Sequence, residues 1–159
     1  MFAREASSDA ALIKALDKIV LIQVDCEKGE GVEIAKQFGV KGYPTFAMVN
    51  SAGETTDRFI GYGGPEGFIE VMNAGLADTR TIAQKKAAYD KAPTLALTLA
   101  LARNAGSSYL PKEAVDYYKQ ARKLDPENAS DHTSNIVNIL YGLKKLLTHL
   151  LQVSTVITC

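Results

Sequence analysis

The sequence predicts an α/β region over residues 1–78 followed by an all-α region from residue 79 onward. Three observations carry this. Short runs of β-branched and aliphatic residues, at 19–24 and 44–49, alternate with segments of helical spacing. The turn signal Asn50-Ser51-Ala52-Gly53 separates the second run from a third at 54–60. Beyond Thr79 the strand signals stop, and alanine, leucine and lysine dominate.

Each element has a local reason. Residues 8–16 read as a short helix, because Ser8 or Asp9 can accept from its free N–H groups and Leu12, Ile13 and Leu16 share a face. Residues 19–24, Ile-Val-Leu-Ile-Gln-Val, are too few for a helix and are bounded by the polar cluster 25–30. They read as a strand buried on both faces. Residues 31–38 return to helical spacing through Val32, Ala35 and Phe38, and Gly39 is a helix stop. Residues 44–49 and 54–60 form the two arms of a hairpin. After Gly61-Tyr62-Gly63-Gly64, Pro65 suits the first turn of a helix reaching about Leu76.

In the second region helices are expected at 82–89, 94–104 and 112–124, punctuated by Pro93, Gly106-Ser107-Ser108 and Asp125-Pro126. The tail, 132–159, carries an apolar stripe at Ile136, Ile139, Leu140, Leu143, Leu146, Leu147, Leu150 and Leu151. It is expected to pack as the next helix, against the faces around Leu97, Leu101, Val115 and Tyr118, rather than to lie on a membrane surface. Residues 153–158 lack helical character. The organisation is therefore 1–78, 79–131 and 132–159.

Composition narrows the function classes. Hydrophobic residues at 47% and charged residues at 23% are those of a globular chain. Lys plus Arg equals Asp plus Glu, 18 against 18, which argues against nucleic acid or an anionic membrane as the main partner. Cys26 and Cys159 are too far apart for a disulfide framework or a zinc-ligand spacing, and His132 and His149 are the only histidines. No metal or cofactor is expected. Met1-Phe2-Ala3-Arg4-Glu5 has neither a basic nor an apolar signal region, and no run reaches the ~18 apolar residues of a membrane span. No compartment follows from these residues.

The residues Val24-Asp25, then Gly39-Val40-Lys41-Gly42-Tyr43-Pro44-Thr45-Phe46, then Gly53 and Gly61-Tyr62, resemble the C-terminal two-thirds of a thioredoxin-fold domain. The resemblance implies an incomplete thioredoxin-like fold, a mixed sheet with flanking helices, ahead of a C-terminal all-α helical hairpin region. It also implies a cis Tyr43–Pro44 bond at the head of a strand antiparallel to the one around Arg58. Proline suits such a bend because an X-Pro bond needs only ~0.5–1 kcal/mol to be cis. Gly42, Tyr43, Pro44 and Thr45 are then the substrate-binding residues, with the backbone of Tyr43 offered to an extended chain.

Residues 100–128 resemble one tetratricopeptide unit, through Ala100-Leu101-Ala102, Gly106, Tyr109, Glu113-Ala114, Tyr117-Tyr118-Lys119-Gln120-Ala121 and Leu124-Asp125-Pro126-Glu127-Asn128. Small residues would let two helices approach, and Asp-Pro would end the second.

Family chemistry needs a Cys-x-x-Cys at a helix N-terminus, which lowers the pKa of the first thiol and supplies the second to resolve the mixed disulfide. The sequence has no such pair, and its matching part begins just after the place where one would stand. A preceding segment carries the pair, or the chain is a natural redox-dead member. The family strand that leads to the pair lies between the 19–24 and 44–49 segments. Without it they either close onto each other or leave an open slot. Cys26 ends the 19–24 segment on the edge where the family thiols would sit, but Asp25 and Glu27 beside it would raise its thiol pKa, so a structural or incidental role is expected rather than a redox one.

The function expected is that of a thioredoxin-like protein of the thiol–disulfide oxidoreductase family, without catalytic residues and redox-inactive as given. The alternative is a non-catalytic protein-binding module that uses the tetratricopeptide-like hairpin. Either way the partners are protein substrates or protein partners, with no nucleic acid and no membrane contact expected.

Overall fold

The structure, a computed structural model, describes residues 2–154, with side chains described as far as residue 145. It is mixed α/β and mostly helical: eight helices and one two-stranded antiparallel sheet among the described residues. The chain divides into two compact units, residues 1–84 and 85–159.

The first unit holds α1 (Phe2–Glu5), α2 (Ala10–Leu16), α3 (Gly31–Gln37), β1 (Thr45–Val49), β2 (Thr55–Ile60) and α4 (Pro65–Ala77). Asp9 caps α2 by accepting from the Leu12 N–H at 2.8 Å. After α3 the chain turns at Gly39, whose φ of +60° suits glycine. The Arg58 guanidinium donates to the Phe38 and Gly39 carbonyls there, at 2.6 and 3.4 Å. It thereby satisfies acceptors that the helix end leaves open, and burial pushes its pKa below the usual value. The hairpin pairs Phe46 with Phe59, Ala47 with Arg58 and Met48 with Asp57, and its register shifts between Met48 and Val49.

Alternation along the strands sends Phe46, Met48 and Phe59 to one face. There they pack on Leu12 and Ala15 of α2 and on Phe68 and Met72 of α4. Phe2 of α1 joins them, with ring centroids 5.0 Å from Phe46, 5.2 Å from Tyr62 and 4.9 Å from Phe68.

One expected element is absent. Residues 19–24 form no strand. A strand forms when a neighbour completes its ladder, and the sheet here contains only β1 and β2. The backbone of residues 20–24 makes no hydrogen bond among the described residues. Nor is the segment buried on both faces, since Val20 is 89% and Ile22 75% exposed.

The second unit contains most of α5 (Ile82–Lys91), then α6 (Leu95–Ser107), α7 (Pro111–Leu124) and α8 (Ala129–Ser154). Thr94 caps α6 through the Leu97 N–H, and Pro111 opens α7. Helices α6 and α7 pack closely because the buried residues include Ala100, Ala105, Ala114 and Ala121 beside Leu97 and Leu101. The Tyr89 and Tyr117 rings meet edge to face at 5.2 Å.

Helix α8 packs on α7. His132 Nε2 lies 3.2 Å from Asp125 Oδ2, and Asn128 Nδ2 donates to the same oxygen at 3.0 Å. The expected tail stripe is buried at Ile136 and half-buried at Ile139 and Leu143, but Leu140 is 51% exposed. Around a 3.6-residue helix Ile136, Ile139 and Leu143 fall within an arc of about 60°, and Leu140 lies at the flank of that arc. The side chains of Leu146, Leu147, Leu150 and Leu151 lie outside the described residues, as does the chain from 155 on. The helix itself runs through 153 and 154, where irregular structure was expected. Among the described residues no helix is long and apolar enough to cross a membrane.

Two measurements check this packing. A Cβ on Gly31 would collide with the Asp25 carbonyl oxygen and lie 2.8 Å from its carbon, whereas one on Gly67 meets nothing within 4 Å. In urea unfolding, Gly31→Ala should therefore lose about 1–3 kcal/mol. Gly67→Ala should gain about 0.5–1 kcal/mol. In the second unit, hydrogen bonds from Asn128 and then from His132 outweigh burial and hold the Asp125 carboxyl below its usual 3.8. A lowered folded-state value adds stability that is present above the unfolded value and is lost as pH falls through the folded one. The urea midpoint of Asp125→Asn should thus vary less steeply than wild type as pH drops below about 4.

Candidate functional site

Gly42, Tyr43, Pro44 and Thr45 fall where α3 hands over to β1. The Thr45 hydroxyl donates to the Gly42 carbonyl at 2.6 Å and closes the loop on itself. The Pro44 carbonyl accepts from the Gly61 N–H at 2.9 Å, which ties the loop to the end of β2. The Tyr43–Pro44 bond is cis, and the strand that follows is antiparallel to the one around Arg58, both as expected. Tyr43 is 63% exposed.

Tyr43, Pro44 and Thr45 wall a cavity of about 580 Å³, a volume within the ~300–1,000 Å³ range of ligand pockets. Gly42 does not line it. The other walls come from Val40, Phe46 and Tyr62, from Phe2 and Ala3 of α1, and from Ile22, Gln23, Val24 and Cys26. A second opening of about 110 Å³ lies along β1, between Ile19 and Ile22 on one side and Thr45 to Met48 on the other, with Phe59, Phe68 and Met72 beneath. The open slot, rather than closure, is the arrangement adopted.

No charged side chain lines either opening. The polar equipment is backbone, the Tyr43, Thr45 and Tyr62 hydroxyls, the Gln23 amide and one half-buried free thiol, Cys26. Among the described residues no cluster of His, Cys, Asp and Glu could hold a metal. Such a cavity can bind an uncharged chain through apolar contact and backbone hydrogen bonds. It holds neither a general acid–base pair nor a thiol pair.

Of the wall residues, the sequence reading singled out Tyr43, Pro44 and Thr45, and noted Cys26 without placing it in a site. It missed Phe2, Ala3, Ile22, Gln23, Val24, Val40, Phe46 and Tyr62 as wall residues. The signal for Ile22 and Val24 was present in their apolar run, but it was read as a buried strand.

Tyr62 marks one edge of the cavity. Its hydroxyl donates to Glu5 Oε2 at 2.6 Å. Burial first, then that bond and the negative charges of Glu5 and Asp9, push its pKa up to about 12. In an ultraviolet titration of the phenols, Tyr62→Phe should remove a component that ionises at about 12.

A comparison of the chain with protein-family models, with curated proteins and with solved structures finds no match in any of the three.

Proposed function

We propose that the chain is a thioredoxin-like polypeptide-binding protein of the thiol–disulfide oxidoreductase family, redox-inactive as it stands. The observation that carries this reading is the uncharged cavity shared by the Tyr43–Thr45 loop and the 22–26 segment. What supports the family part is the Val40-Lys41-Gly42-Tyr43-Pro44-Thr45 string ahead of a hairpin and a helix. The absence of charge favours an extended chain with apolar side chains, because an ionic ligand would lose hydration there without gaining a counter-charge. A lone Cys26 can form a mixed disulfide but has no second thiol in the cavity to resolve it.

A second reading, a protein-binding module built on the tetratricopeptide-like hairpin, draws on the close α6–α7 packing through alanines. It places the partner on the second unit and leaves the cavity idle.

Two assays on the full chain separate these readings. With dithiothreitol as reductant, insulin reduction should not exceed that of Cys26→Ser; turnover that depends on Cys26 would contradict redox inactivity. Reduced, carboxymethylated α-lactalbumin, an unfolded polypeptide, should bind. Tyr43→Ala should weaken it about fivefold to tenfold, the loss of roughly 1 kcal/mol for a truncated aromatic contact. Binding indifferent to Tyr43 would favour the hairpin instead.

A further inference from the structure

We draw no further inference here: the strongest candidate, the exposed apolar patch of Val137, Leu140 and Tyr141 on α8, carries nothing because nothing in the structure shows what covers it.

Discussion

A two-stranded hairpin is at best marginally stable in water by itself, and the first unit has no larger sheet among its described residues. What holds it is the aromatic cluster on its inner face. Phe46 stacks on Phe59 at 5.1 Å, Phe68 of α4 meets both from below, and Phe2 of α1 closes the group against Tyr62. Each such ring pair contributes about 0.5–1.5 kcal/mol beyond the area it buries. The cluster couples α1 and α4 to the hairpin, so it also determines where Phe2 and Tyr62 stand as cavity walls.

The same sheet leaves one side of β1 without a ladder, and the candidate site follows from that. A sheet edge presents alternate N–H and C=O groups to whatever lies next to it. Here the neighbour is an open slot, with residues from the 19–24 segment, whose backbone at 20–24 makes no hydrogen bond among the described residues, on its other wall. Apolar walls give such a slot little means of recognising a charge. The free thiol of Cys26 lies in that setting with no second thiol among the cavity walls.

The second unit depends on a different device. Alanines at the α6–α7 contact let two backbones come close, and the Asp125–Asn128–His132 group links the end of α7 to the first turns of α8. That group is polar and local, while the apolar part of α8 divides between Ile136, buried, and Leu140, exposed.

Apart from α1, which the sequence reading did not anticipate, the helices were legible from residue order alone because their causes are local. Asp9 and Thr94 cap, Pro65 and Pro111 open, and Gly39 stops, each through a group within a few positions of the helix end. The hairpin was legible for the same reason: Asn50 accepts from the N–H groups of Ala52 and Glu54, and Gly53 takes a positive φ. The loop at 42–45 could be picked out by its string. The wall that Phe2 supplies could not, because Phe2 is brought there by packing on Phe46, Tyr62 and Phe68, far along the chain. The fate of 19–24 was beyond local reasoning altogether. Its aliphatic pattern is that of a strand, yet a strand exists only through hydrogen bonds to another, and whether that neighbour is present is a property of the tertiary structure.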